Sequence, residues 1–255
     1  MIVDKEIVRK RFEKSRDNYN KHAFVQRRIC REITDCMEAN RIALDGLLLE
    51  VGCGSGLLSA EILKKAVPEH YYLNDLVTEK ECGITQVLDQ YRFLNRTFLE
   101  GDAEIIGFPQ QLDAIVSTSA VQWFSNLPAF ILKVWRALRP GGIFAFSTFG
   151  PENFQEIRSA CSQGLFYYTS EEINEMMAGG FDVLCVHDEI IPLHFNRPVD
   201  VLRHIKNTGV NGLVKPSGWG RQKLQAFEKN YPVSPQNGCL LTYHPIIILA
   251  RKKNE

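Results

Sequence analysis

The chain has no excess charge of one sign, no long apolar run and no spacing typical of a structural metal site. Its 30 basic and 30 acidic side chains cancel over 255 residues, which argues against a general nucleic-acid binder. The longest apolar run, Ile246–Ala250, is far short of the roughly 20 residues a membrane helix needs, so no membrane association is expected. The opening MIVDKEIVRKRFEKS is charged and has no apolar signal core, so a cytoplasmic location is expected. There is no C-x-x-C and no His-x-x-x-His. The seven scattered cysteines read as reduced core thiols, and no metal is expected.

What is present is the composition of a globular domain, with 45% hydrophobic and 24% charged residues. Residues 5–40 carry helical periodicity: Val8 and Phe12 share one face, as do Val25, Ile29, Ile33 and Met37. The polar stretch Arg16–Lys21 is expected to break this run. Five short apolar strands follow, at Leu47–Val51, Tyr71–Leu76, Arg96–Leu99, Leu112–Ser117 and Ile143–Thr148. They alternate with helices at Leu57–Lys65, Glu79–Gln90 and Phe130–Leu138. That alternation predicts parallel βαβ units, and the continuous apolar character of LLLEV and DAIVS fits strands buried on both faces. A helix is expected at Ser170–Met177, capped by Thr169 or Ser170. Two long β-like stretches, Val183–Phe195 and Leu240–Ala250, enclose helical segments Val199–Lys206 and Arg221–Lys229, joined by glycine-rich Gly209–Gly220. The expected organisation is a helical lid over 1–44, a core over 45–196, a helical lid insertion over 197–237 and a last core strand over 238–255.

The segment Glu50-Val51-Gly52-Cys53-Gly54-Ser55-Gly56 lies between the first strand and the first core helix. Alternate glycines allow a sharp turn and a close ligand approach at the switch point of a doubly wound sheet. The dinucleotide fingerprint needs glycine at Leu57, and a phosphate-loop pattern is missing. Glu50 would repel a pyrophosphate and suit a cationic amino-acid group.

These residues resemble the class I S-adenosylmethionine methyltransferases. The resemblance implies an α/β fold, a doubly wound, mostly parallel seven-stranded sheet, with S-adenosylmethionine as methyl donor. Glu50, Gly52, Gly54, Ser55 and Gly56 match the glycine motif. Asp75 matches the ribose-binding acid, with Asn74 beside it. Asp102 and Ala103, in Gly101-Asp102-Ala103-Glu104, match the adenine-side motif. Ser117 ends the fourth strand, beside the expected sulfonium. Arg139-Pro140-Gly141-Gly142 is a frequent turn of that family.

An amino-methyltransferase would carry [DNS]-P-P-[YFW] after the fourth strand, whereas Ser117–Phe124 reads STSAVQWF. That segment resembles the malonyl-acyl-carrier-protein O-methyltransferases of biotin synthesis. So do Tyr19–Gln26, Leu202–Asn211 and Leu241–Pro245. The resemblance implies methylation of the free carboxylate of a malonyl thioester on acyl carrier protein. Tyr19, Gln26 and Trp123 would shape the substrate site, and Arg203 or Lys206 would hold the malonyl charge. The segment Lys5–Arg31 has ten basic and three acidic residues, a face suited to an acidic carrier. Methylation of a free acid or a quinone ring carbon, and a non-catalytic cofactor-binding regulator, remain open at this point.

Overall fold

The computed structural model describes residues 5–161, 164–208, 220–234 and 238–254, and the side chains of all of these except 11–18, 20 and 81. Helices α1 (Lys5–His22) and α2 (Phe24–Ala39) lead into β1 (Leu47–Val51), α3 (Leu57–Leu63), β2 (His70–Asp75), α4 (Glu79–Cys82), α5 (Ile84–Gln90), β3 (Arg96–Glu100) and β4 (Leu112–Ser117). A short 3-10 turn at Val121–Trp123 precedes α6 (Leu127–Ala137), β5 (Leu138–Phe149), α7 (Gln155–Cys161) and α8 (Ser170–Met177). The chain then forms β6 (Phe181–Asp188), β7 (Ile191–Phe195), α9 (Pro198–Asn207), α10 (Arg221–Asn230), β8 (Val233–Ser234), β9 (Gly238–Tyr243) and β10 (Pro245–Lys252).

Seven strands form one sheet in the order β3-β2-β1-β4-β5-β10-β6. The first five are parallel, and β10 runs antiparallel to both β5 and β6. Alternation along each strand divides the core between the two faces. Leu48, Ile247 and Leu249 pack on the side of α2, α3 and α5, whereas Leu49, Val51, Ile246 and Ile248 pack on the side of α6 and α8. On α2, the expected stripe Val25, Ile29, Ile33 and Met37 is buried. Thr169 caps α8 in a reciprocal capping box with Glu172.

Four expected elements come out differently. Helix α1 runs through the polar stretch Arg16–Lys21 and ends at His22, because that stretch has no proline or glycine to stop it. The break falls at Ala23, which is fully buried between α1 and α2. The expected helix Glu79–Gln90 is divided at Gly83 into α4 and α5. The two long β-like stretches each divide as well: β6 and β10 stay in the main sheet, while β7 and β9 leave it and join β8 in a second, three-stranded sheet. Apolar alternation continues through both joints, so periodicity does not mark where a strand changes sheets. Of the glycine-rich connection expected at Gly209–Gly220, residues 209–219 lie outside the described residues.

Candidate active site

One cavity opens over the carboxyl ends of β1, β2 and β4, with α1 and α2 along its other side. Its floor is the loop after β1. The amides of Gly52 and Cys53 both donate to Asn74 O at 2.9 Å, tying that loop to the end of β2. Gly52 has φ +71, and a Cβ there would lie 2.5 Å from the Ala120 methyl. Gly54 has φ +50, and a Cβ there would meet nothing within 4 Å among the described residues beyond its chain neighbours. That open space is the cavity itself.

Of the expected cofactor residues, Gly52, Gly54, Ser55, Asn74, Asp75, Asp102 and Ala103 line the cavity. Asp75 Oδ2 accepts from Gly54 N at 2.8 Å, and Oδ1 from Val77 N at 3.2 Å. Burial raises its pKa, while backbone donors hold it down. Asp102 accepts from Glu104 N at 2.9 Å and from Lys5 Nζ at 2.6 Å. Lys5 also bridges to Glu104, so the start of α1 closes over the adenine-side motif. The Asn74 amide donates to Leu99 O at 2.7 Å and Gly101 O at 2.9 Å, which commits it to the end of β3.

Glu50, Gly56 and Ser117 do not line the cavity. Glu50 is buried beneath the loop, where Ser59 Oγ donates to it at 2.5 Å and the Tyr71 hydroxyl donates to the same oxygen. Burial pushes Glu50 up to about 7 against the pull of these two donors. Gly56 faces α5: a Cβ there would lie 2.7 Å from Ile84 Cδ1, so this glycine serves close packing of α3 on α5. Ser117 Oγ donates to Val51 O at 2.8 Å inside the sheet.

The Glu50 environment has a measurable consequence. A carboxyl whose folded pKa is raised contributes stability below its unfolded pKa, and loses it as pH rises through the folded value. The shift from 4.5 to about 7 corresponds to about 3 kcal/mol. Glu50→Gln keeps an acceptor for Ser59 and Tyr71 and cannot ionise. Urea unfolding should therefore show the variant gaining on the parent protein between about pH 4.5 and 7 and holding that gain above. Parallel stability curves from pH 4.5 to 8 would show that Glu50 titrates normally.

Among the expected substrate residues, Tyr19, Gln26 and Trp123 line the cavity, and Arg203 and Lys206 do not. The face of α9 explains the difference. Val201, His204 and Ile205 are buried, which turns Arg203 and Lys206 outward. Arg203 is exposed and pairs with Asp200 at 2.6 Å. The clamp expected of these two residues is therefore not assembled at the cavity. Several lining residues escaped sequence reasoning: Lys5, Arg9, Cys30, Thr118 and Ser119. Cys30 follows Gln26 by one helical turn, and Thr118 and Ser119 directly follow the β4 motif, so position alone could have signalled them.

Two buried polar atoms of the lining, Gln26 Oε1 and Ser119 Oγ, have no partner among the described residues. Such atoms mark a site for a polar ligand. Burial raises the Tyr19 pKa, so its phenol remains a neutral donor. No histidine lines the cavity among the described residues. Away from it, Glu32, His187 and Glu189 converge, and Arg28 supplies the positive charge there by donating to both carboxylates.

A methyltransferase-domain family matches residues 19–186. A malonyl-[acyl-carrier protein] O-methyltransferase of Bacteroides helcogenes is 37% identical, the match covering 98% of this chain and 100% of that one. The chain belongs to the malonyl-[acyl-carrier protein] O-methyltransferase family. The relative in Bacteroides fragilis is 38% identical over 97% of this chain, which spans 50% of that longer protein. Among solved structures, the YcgJ protein of Bacillus subtilis aligns with a TM-score of 0.62 at 15% identity, covering 88% of this chain and 98% of that one. A phosphoethanolamine N-methyltransferase of Haemonchus contortus, solved with S-adenosylhomocysteine, aligns at 0.51 with 17% identity, covering 84% of this chain and 50% of that one. These two likenesses show the same doubly wound methyltransferase fold. No helix among the described residues is long and apolar enough to cross a membrane.

Proposed function

We propose that the protein methylates the free carboxylate of a malonyl thioester carried on acyl carrier protein, as a cytoplasmic step of biotin synthesis. S-adenosylmethionine is the methyl donor; bound in the cavity, it supplies an electrophilic methyl on a sulfonium. The observation that carries the reading is the relation to carrier-protein O-methyltransferases over nearly the whole chain, joined to a cavity with no histidine in its described lining.

The residues fit the chemistry. A malonyl carboxylate is ionised at neutral pH and needs alignment rather than a base. Tyr19 offers a neutral O–H donor to one carboxylate oxygen. Trp123 and Phe124 wall the cavity and exclude water. Asp75, through its free lone pairs, receives the ribose diol, and Asp102 serves the adenine end once Lys5 yields. The carrier docks on α1 and α2, where Lys10, Lys21 and Arg31 are exposed. Arg28 is also exposed but is paired with Glu32 and Glu189. The side chains of Arg11, Lys14 and Arg16 on the same segment lie outside those described.

Initial rates of S-adenosylhomocysteine formation test the reading. Malonyl-carrier should turn over, acetyl-carrier should not, and free malonate or quinones should react far more slowly. Between about pH 6 and 9 the rate should be nearly flat, because no general base titrates. Comparable turnover of free acids or quinones would make the carrier dispensable. No turnover of any acceptor would leave a cofactor-binding protein without this chemistry.

A further inference from the structure

Lys5, in the first turn of α1, reaches to the loop after β3. Its Nζ lies 2.6 Å from each oxygen of Asp102 and also donates to Glu104. The ammonium stands 5.3 Å from the centroid of the Phe124 ring. Lys5, Asp102 and Phe124 all line the cavity. Lys5 and Asp102 also line a second opening, together with Arg9, Leu76 and Glu100.

The two carboxylates that Lys5 bridges differ in their surroundings. Glu104 does not line the cavity, and it accepts from Ser125 N and Asn126 N at the start of α6, both at 2.9 Å. Asp102 does line it, and its side chain accepts from Glu104 N at 2.9 Å. Neither acid is free to follow a moving lysine. Lys133 on α6 donates to Ala103 O at 2.6 Å and to Ile106 O, with its ammonium 4.3 Å from the Phe108 ring centroid. The loop is thus tied to α6 on both sides of Glu104. The part that can move is the Lys5 side chain, a flexible four-carbon stem with a point charge at its end.

Both Asp102 oxygens are taken by Lys5, so an amine arriving from the cavity competes with the ammonium for them. Lys5 can give up this anion without being left unpaired, because Glu104 stays within its reach. We propose that Lys5 competes with the adenine amine of the cofactor for Asp102, and that it shifts onto Glu104 alone when the amine binds. The inference rests on the cofactor reading above. It makes the first turn of α1 a determinant of cofactor affinity that acts through a carboxylate 97 residues away.

Calorimetric titration with two ligands tests it: S-adenosylhomocysteine, and S-inosylhomocysteine, in which a 6-oxo group replaces the adenine amine. Lys5→Met should tighten S-adenosylhomocysteine binding about three- to tenfold, because the fraction of sites with Asp102 open to the amine rises. S-inosylhomocysteine brings no amine and should gain nothing. Lys5→Arg keeps a cation able to bridge both acids and should hold the parental affinity. A gain in affinity cannot arise from misfolding. Unaltered S-adenosylhomocysteine affinity in Lys5→Met would overturn the inference, and weakened affinity would do so by making Lys5 a ligand of the cofactor. Equal gains for both ligands would overturn it too, by showing a loosened α1 rather than competition for Asp102. An equal gain in Lys5→Arg would show that the charge is not what competes. A parent protein that binds neither ligand would sink the cofactor reading itself, and the competition with it.

Discussion

Gly54→Val should reduce affinity for S-adenosylhomocysteine by at least about 100-fold, close to loss of binding. Two effects act together. The backbone at Gly54 has φ +50, where a side chain costs about 1–2 kcal/mol, and a β-branched one is the least tolerated. The added atoms also have one place to go, since, chain neighbours aside, no atom of the described residues lies within 4 Å of a Cβ there. They enter the volume that the ligand needs. Relaxing the strain would move the Gly54 amide off Asp75 Oδ2, now 2.8 Å away, and so disturb the carboxylate assigned to the ribose. Gly54→Ala carries the strain with less bulk and should fall between. Calorimetry separates the cases, and thermal unfolding checks that the variant is folded. Parental affinity in Gly54→Val would remove the loop from the cofactor site.

The second large effect concerns the carrier. Lys21→Glu with Arg31→Glu should raise KM for malonyl-carrier about tenfold or more and leave KM for S-adenosylmethionine unchanged. Both side chains are exposed and neither lines the cavity, so the substitutions alter long-range attraction and leave the reacting groups in place. Steering by such charges weakens with salt, because screening acts over about 8–10 Å at physiological ionic strength. The parental KM should therefore climb with added salt, and the double variant should respond less. Arg28 is a poorer choice for this test: its guanidinium already bonds Glu32 and Glu189, so its loss would disturb the junction of α2 with the end of β6. A salt-independent KM that is unchanged in the double variant would place the carrier on another surface.

The parts of the fold that local chemistry dictates were legible in the sequence. Strands β1 and β4 occupy the predicted spans because short apolar runs buried on both faces end at turn residues. The parallel strands followed from the strand–helix alternation, and the seven-stranded sheet from the class I resemblance. Gly52, Gly54, Asp75 and Asp102 meet at one cavity. What depended on tertiary packing was not legible. The outward face of α9 is decided by the burial of Val201, His204 and Ile205, and nothing in its charge pattern tells which side Arg203 takes. Glu50 follows a strand rhythm that turns it beneath the loop, toward Tyr71 and Ser59, so its charge is not displayed to the ligand. Lys5 reaches Asp102 from 97 residues away, a contact without any local signal. The split of β6 from β7 and of β9 from β10 creates the second sheet, which sets Tyr243 against His204.

The central claim is that the acceptor is the malonyl carboxylate on the carrier. Intact-mass analysis of malonyl-carrier after incubation with the protein and S-adenosylmethionine tests it most directly, with fragmentation to locate the added group. The account predicts a gain of one methyl in place of one proton, placed by fragmentation on the malonyl carboxylate oxygen. A methyl found on the carrier polypeptide or on the malonyl carbon, or an unmodified carrier in the presence of bound S-adenosylmethionine, would contradict it.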